Sequence, residues 1–534
     1  MNALWLCLHL PRLPLDALGP WPEPLAACPA LVWAADARGA RQVCCVNAAA
    51  RSLDLQPGQR LNTAEALAPQ ALRLARDPAR EAAALERLAL ALGCLTPHIC
   101  PAPPDQLLLE VRASLRLFGG IRRLRTRALA ITRSSGLQVR SSLATTPLAA
   151  QWLAAAGQRH RHALRLESTR QRLQPLALAR LAGRLAPDEV ATADSLEMLQ
   201  ALGARTLADL HRLPRSGLNR RGAAAWVDAL DRAEGRRPDP RRWHEPPEAC
   251  RLDLELPHRA EAVADLEGAL TPLVHSLCGW LARRWQAATA LRLNLRHEQG
   301  ARRHLPDQLI ELQLTTPSRD AAHLITLLRE RLQQVVLSAA VDSLRLELTG
   351  QQAEAGRPLA LLPDQPDERG HQDALAGLID RLRARLGDER LLRLQLQPDA
   401  RPEKAQQRAA PQPGGRAGAE RRLPSSAAAA AAAPPRPAWL LEAPRPLTPP
   451  GPPGPPGAAG ASDNTPALDG RPLRLLTRPE RIETGWHDGA LLRRDYHVAL
   501  GEDGRLWWIF RERQGSLEQA DGAAPRWFLH GLFG

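Results

Sequence analysis

The sequence predicts an α+β chain of several domains that ends in a small β-rich module. Three observations predict it. Between 249 and 350, short runs alternating apolar and polar residues exchange with long helical periods in the order βαββαβ. Between 195 and 214, two helical stretches flank Gly203 as in a tight helical hairpin. Between 401 and 470, a Pro/Ala/Gly-rich stretch that cannot bury a core separates the body from an aromatic-rich tail at 471–534. A chain of 534 residues has the length for several cores.

The net charge of +14 and a pI of about 10.7 point to a polyanionic partner, most simply nucleic acid. A coding bias that inflates Arg, Ala and Pro is the competing source of that charge. Lys404 is the only lysine, so the positive charge is arginine, which binds phosphate in a bidentate way and does not act as a base. The eight cysteines form no C-x-x-C pair. Cys94, His98 and Cys100 make a loose cluster that reads as free thiols in a reducing cytosol, and we expect no metal centre. The opening MNALWLCLHLPRLPL lacks a basic n-region and reads as a strand, not a signal peptide. No run is long and apolar enough to cross a membrane, and a cytoplasmic location is expected.

Taken in order, LWLCLHL (4–10) is a buried strand. Residues 60–69 form a short helix stopped by Pro69, and 79–93 an amphipathic helix. The stretch DQLLLEVRASLRLFGG (105–120) is a buried strand closed by a glycine turn, with Asp105 at its start. A carboxylate placed there suits a metal-dependent phosphoryl-transfer site. A helix follows Pro147, with proline in its first turn. In the hairpin, Gly203 lets the backbone approach a phosphate and Thr206 caps the second helix. Arg205, Arg215, Arg220 and Arg221 would reinforce that contact. In the βαββαβ segment both helices belong on one sheet face, because the polar positions must face away. Arg292 and Arg296 stand two positions apart on that polar face, a DNA-binding surface or a solvated one. Residues 372–397 hold one amphipathic helix and a short strand. PAWLLEAPRPL (437–447) is a short docking element inside the linker. The tail aromatics, chief among them Trp507, Phe510, Trp527 and Phe528, fit a partner-binding surface and the packing of a small core alike.

Several of these stretches resemble the Y-family, or translesion, DNA polymerases. Residues 105–110 resemble the motif S-I-D-E-x-x-L-D, with Asp105 on its Asp and Gln106 on its Glu. On the family's first strand, D-x-D becomes Cys7 and His9, and Asp16 falls near the Glu that follows. Residues 43–69 resemble the fingers, with Arg51 kept as a nucleotide-binding remnant and Ala48 at the tyrosine position. Residues 136–157 resemble the palm segment G-I-A-x-N-K-x-x-A-K-x-A, whose two lysines are here Pro147 and Gln151. The hairpin resembles the thumb's helix-hairpin-helix, and the βαββαβ segment the little finger. Pro358-Leu359-Ala360-Leu361-Leu362 stands where bacterial members carry a sliding-clamp peptide, without its Gln and aromatic. ERIETGW, RDYHVA, WWIFRER and WFLHGLFG resemble the C-terminal signature of the ImuB-type proteins of bacterial mutagenesis cassettes.

The resemblance implies a palm at 1–170 with fingers inserted at about 20–80, a thumb at 171–240 and a little finger at 249–350. A clamp-peptide region and helix follow at 351–400, then a disordered linker at 401–470 and a partner-binding module at 471–534. It implies a polymerase fold without polymerase activity, with no cofactor and no bound metal. The role implied is an adaptor in damage-induced translesion synthesis and mutagenesis. Its implied partners are DNA, the sliding clamp, a RecA-like accessory protein of the ImuA type and an error-prone C-family DNA polymerase. Two-metal nucleotidyl transfer needs several carboxylates to hold its cations. Cys7 offers a soft thiol in place of one and Gln106 an uncharged amide in place of another. An active translesion polymerase with atypical ligands is the alternative.

Overall fold

A computed structural model describes residues 3–19, 27–36, 39–157, 162–184, 189–297, 306–354, 368–397, 399–409, 435–448, 466–513 and 526–533. The chain divides into two compact units, Met1–Gly387 and Asp388–Gly534.

The first unit is built on β1 (Trp5–His9), whose unbroken apolar run requires cover on both faces. Its helical neighbour α1 (Leu13–Asp16) turns the chain toward the fingers. There β2 (Ala30–Ala35) and β3 (Arg41–Val46) pair antiparallel. They are covered by α2 (Ala48–Arg51) and α3 (Leu61–Leu67), which bury Ala50, Leu61 and Ala64 against Leu31 and Val43. The strand β4 (Leu72–Ala75) returns parallel to β2 and completes this small sheet. The helix α4 (Pro78–Ala91) starts at Asp77, whose carboxylate accepts from the N–H groups of Ala79 and Arg80.

The palm sheet has the order β5-β6-β1-β7, all antiparallel, with β5 (Ile99–Ala102), β6 (Gln106–Glu110) and β7 (Arg140–Ala144). Between β6 and β7 runs α5 (Ile121–Ser134), and α6 (Pro147–Ala155) follows β7. Strand alternation sends Leu6 and Leu8 to one face, into a core with Leu85, Leu88, Leu124 and Ala128 of α4 and α5. Trp5 and Cys7 go to the other face, into a core with α6 and the thumb.

The thumb comprises α7 (Leu166–Leu173), α8 (Glu189–Ala201), α9 (Leu207–Arg212), α10 (Arg215–Arg220) and α11 (Ala224–Ala233). Gly203 sits at φ +82° in the turn between α8 and α9, the left-handed conformation that the turn demands.

The little finger runs β8 (Arg251–Ala260), α12 (Val263–Arg283), β9 (Gln286–His297), β10 (Gln308–Ser318), α13 (Ala321–Leu332) and β11 (Val341–Ala353). Its sheet has the order β10-β9-β11-β8, and all pairs are antiparallel. The even positions Leu252 and Leu254 and the odd positions Leu291, Leu293 and Leu295 bury against α12 and α13, as the period-two pattern requires. A helix α14 (Glu368–Leu386) follows. The helix α12 also lies against α4. A Cβ on Gly279 would meet the carbonyl oxygen of Leu90 at 2.0 Å, and Ser276 Oγ donates to the carbonyl of Arg87 at 2.8 Å. The little finger is thereby fastened to the N-terminal part of the same unit.

The second unit departs from the linker expected at 401–470. A hairpin joins β12 (Arg393–Leu396) to β13 (Gln406–Ala409). The stretch expected as a docking element is β14 (Trp439–Pro446), which pairs antiparallel with the strand Trp527–Leu532. That strand continues through Leu506–Glu512 and Leu492–Leu500 to Arg474–Leu475, and Glu480–Thr484 also pairs with Leu492–Leu500. The tail sheet therefore takes a strand from inside the Pro-rich region. As an edge strand, β14 tolerates its two prolines because an edge need not donate on both sides. Residues 410–434 and 449–465, the low-complexity parts, lie outside the described residues.

The remnant acidic site and the candidate nucleic-acid interface

Asp105 lies one residue before β6, and its carbonyl accepts from Leu10 N–H at 2.8 Å, which fixes it beside the end of β1. His9 pairs in register with Gln106, so its imidazole stands on the same side of the sheet as Cys7. His9 Nε2 lies 3.2 Å from Asp105 Oδ2. The short helical turn Ala182–Arg184 brings in a residue that sequence reasoning missed. Arg184 Nη1 donates to Asp105 Oδ1 at 2.8 Å and Nη2 to Oδ2 at 2.9 Å, a bidentate pair. Burial by itself would raise the Asp105 carboxyl. Hydrogen bonds from His9 and Arg184, with the guanidinium's charge, outweigh it and hold the group at about 2. The carboxylate that a divalent cation would need is already neutralised by a cation of the chain.

The neighbouring positions close the site further. Gln106 is 1% exposed. Its Nε2 donates to the carbonyl of Gln151 at 3.1 Å, and its Oε1 accepts from Gln151 Nε2 at 3.2 Å. The two amides that stand on the family's glutamate and lysine positions thus satisfy one another. Cys7 is fully buried in the core shared with α6 and the thumb. Burial pushes its thiol far above the ordinary range, so it is a neutral packing group. Asp16 accepts from Gln138 N–H at 2.8 Å and pairs with Arg12 at 3.5 Å, and burial raises its carboxyl to about 6. Among the described residues no three His, Cys, Asp or Glu groups come together to hold a metal ion. The donor set of one paired carboxylate, a neutral thiol and a spent amide does not fit the two hard cations of nucleotidyl transfer. Arg51 is exposed at the end of α2 and is not among the groups facing Asp105.

The thumb hairpin forms as expected, but its backbone is not available to phosphate. Gly203 N–H donates to Gln200 O, Ala204 N–H to Leu199 O, Leu207 N–H to Leu176 O and Ala208 N–H to Gln174 O. The N–H groups of Arg205 and Thr206 go to Asp209 Oδ2 at 3.1 and 3.0 Å. Thr206 is the N-cap, and its hydroxyl donates to Asp209 in a closed capping box. Gly203 and Thr206 therefore shape the turn, and what this part of the thumb offers a phosphate is the exposed side chains of Arg205 in the hairpin, Arg220 at the end of α10 and Arg221 just after it.

The expected little-finger arginines are each matched by a carboxylate. Arg292 binds Glu311 directly across the β9–β10 pair at 2.8 Å, and Arg296 lies 3.9 Å from Asp307. Arg345 pairs with Asp253, Arg251 with Glu347 and Arg80 of α4 with Glu255. This sheet face is close to neutral, because opposite charges were laid across neighbouring strands.

Of the tail aromatics, Phe510 and Trp527 are core residues, 2% and 8% exposed, and Trp507 and Phe528 are half-buried. Phe510 stacks on Phe528 at 5.1 Å and lies 5.1 Å from Tyr496, and Trp527 packs 5.5 Å from His497. A sheet this small has few other side chains with which to build a core. Trp439 and Trp486, 68% and 74% exposed, are the outward-facing tryptophans of this unit. The clamp-peptide residues Leu359, Leu361 and Leu362 lie outside the described residues. No helix among the described residues is long and apolar enough to cross a membrane.

Residues 22–155 match the impB/mucB/samB family. Over 500 residues, covering 90% of this chain and 100% of the relative, the chain is 27% identical to Protein ImuB of Caulobacter vibrioides strain NA1000 / CB15N. The same figures hold for Protein ImuB of strain ATCC 19089 / CIP 103742 / CB 15. Among solved structures, the Y-family DNA polymerase chimera Dbh-Dpo4(243-245)-Dbh is similar at 16% identity and TM-score 0.37, over 65% of this chain and 98% of its own. DinB from Sulfolobus solfataricus is similar at 16% identity and TM-score 0.34, with the same coverage. The chain thus carries an impB/mucB/samB-family domain at 22–155 and is similar to the ImuB proteins along nine tenths of its length.

Proposed function

We propose that this chain is a non-catalytic, DNA-binding adaptor in damage-induced translesion synthesis and mutagenesis. The observation that carries the reading is the bidentate pair between Arg184 and Asp105. A guanidinium occupies the one retained carboxylate, and a transferred triphosphate would find neither two cations nor a lysine beside it. A scaffold loses nothing by this, whereas an enzyme loses its reaction. The polymerase-like body would hold DNA through arginine side chains, including Arg205, Arg220 and Arg221, without bound metal or cofactor.

On this reading the chain works in the cytoplasm and brings together the sliding clamp, a RecA-like accessory protein of the ImuA type and an error-prone C-family polymerase that performs the synthesis. The clamp would be met by Leu359, Leu361 and Leu362, and the other partners by the second unit. A tethered module keeps a partner at high effective concentration beside the DNA-bound body. The core positions of Phe510 and Trp527 shift the contact role toward the exposed Trp439 and Trp486.

An allele carrying Asp105→Asn with Arg184→Met tests the reading, because it removes the last carboxylate together with its partner. The adaptor reading expects induced mutagenesis at the wild-type frequency from this allele and its loss from a chain ending at Gly387. Mutagenesis abolished by the double substitution, in cells that hold normal amounts of the protein, would show that Asp105 is used chemically.

A further inference from the structure

Between Val111 and Arg140 the sequence has eight arginines and no aspartate or glutamate. The fold gathers most of them on one surface. At about 100° per residue, Arg122, Arg123, Arg127 and Arg133 fall within one outward arc of α5. Leu124, Ala128 and Thr132 point the other way, into the palm core. All four arginines are exposed, and so are Arg112 and Arg116 in the loop before the helix. Among the described residues none of the six meets a carboxylate, in contrast to Arg292, Arg296 and Arg345 on the little finger. Arg127 lies over the ring of Phe118 at 5.2 Å, which holds its guanidinium in place.

This arrangement costs the free protein stability. Arg123 and Arg127 are like charges one turn apart. Arg122 and Arg123 sit in the first turn, where the helix dipole disfavours cations, and no side chain caps that end. A polyanion reverses both penalties. From Arg122 to Arg133 the ridge is about 16 Å long at 1.5 Å per residue. That length faces about five successive phosphates of one strand at 3.4 Å each. The residues between the arginines on this arc are Thr126, Ala130 and Ser134, and between Val111 and Arg140 the one large apolar side chain that is exposed is Leu117. A protein partner would call for more apolar anchors than that.

We infer that the outer face of α5, with Arg112 and Arg116, is a second nucleic-acid contact that grips the phosphate backbone of DNA. It lies on the opposite side of the palm sheet from the remnant site. Leu6 and Leu8 of β1 point into the core beneath α5, while Cys7 points to the face that carries His9 and Asp105. A strand held there meets the face of the sheet opposite to the one on which the thumb packs. The inference rests on the DNA-binding part of the proposed function and extends it to a particular surface.

The test compares the full-length protein with a variant carrying Arg122→Gln, Arg123→Gln, Arg127→Gln and Arg133→Gln, and with the corresponding four-lysine variant. Binding to a fluorescent single-stranded and a fluorescent duplex oligonucleotide is measured by anisotropy across a salt series. Each phosphate contact contributes about 0.9 to the slope of log K against log salt on duplex and about 0.7 on single strands. The glutamine variant is expected to lose a slope of about 3 on one of the two, and the lysine variant to keep it. An unchanged slope in a glutamine variant that still binds would overturn the inference, whatever acidic protein that variant fails to capture. A loss that lysine does not restore would overturn it as well, since charge would then not be its cause. A wild-type protein that binds neither oligonucleotide would remove the DNA-binding reading itself, a result distinct from both.

Discussion

Removing Arg184 should expose how much the palm depends on its internal cation. Asp105 is about a fifth exposed and Arg184 likewise, 19% and 20% by side chain, so solvent screens the pair only in part. A carboxyl held at about 2 in place of its ordinary 3.8 is worth about 2 kcal/mol of folding free energy at neutral pH. Arg184→Met keeps the stem's bulk and leaves the carboxylate partly buried with His9 alone. We expect it to lower stability at pH 7 by about 2 kcal/mol, and Asp105→Asn by a similar amount for the converse reason. The double variant should be less unstable than the sum, with a coupling energy of about 2 kcal/mol in a double-mutant cycle. The pH dependence has a definite sign. The folded carboxyl is depressed, so its stabilisation is complete above the unfolded value near 4 and is lost as pH falls toward 2. Urea unfolding followed by tryptophan fluorescence, at pH 7 and again at pH 4 and below, measures both. Additive single effects at pH 7, or a coupling that grows on acidification, would refute the pairing as described.

The other predictions concern packing and partners. Gly279→Ala drives a methyl into the carbonyl of Leu90 and should cost on the order of 2 kcal/mol while loosening α12 from α4, seen as faster amide exchange in both helices. Phe510→Ala removes a ring packed among Tyr496, Phe528 and His530 and should destabilise the tail sheet by about 3 kcal/mol or more, read as lost strand signal in the second unit. Leu361→Ala with Leu362→Ala should weaken clamp binding by about 2 kcal/mol or more, measured by calorimetry against the purified clamp, because apolar anchors carry most of such contacts.

What could be read in the sequence depended on how local each signal was. The βαββαβ unit was legible because its strands carry period-two alternation over five or six residues and its helices long apolar stripes. The thumb hairpin was legible because a glycine and a capping threonine stand at fixed offsets. Arg184 was not, since its meaning comes entirely from Asp105, 79 residues away in sequence. The same holds for Gln106 and Gln151, two separate departures from the family pattern that become one bonded pair only in the fold. The charges of the little-finger face were read one strand at a time, which hides the carboxylates that β10, β11 and β8 lay beside them. The strand β14 was concealed by Pro-rich surroundings, and the tail aromatics could not be sorted into core and surface until strand pairing set which of them faced inward. The arginines of α5 did carry a local signal, a run free of acidic residues with apolar positions at helical spacing, and it could have been found.

The central claim is that the palm no longer performs nucleotidyl transfer. Primer extension by the purified full-length protein, with magnesium or manganese and all four nucleotides, tests it most directly. The account predicts no extension, from the wild type or from Arg184→Ala, because freeing Asp105 restores neither a second carboxylate nor a lysine. Extension by the wild type that disappears in Asp105→Ala would contradict it.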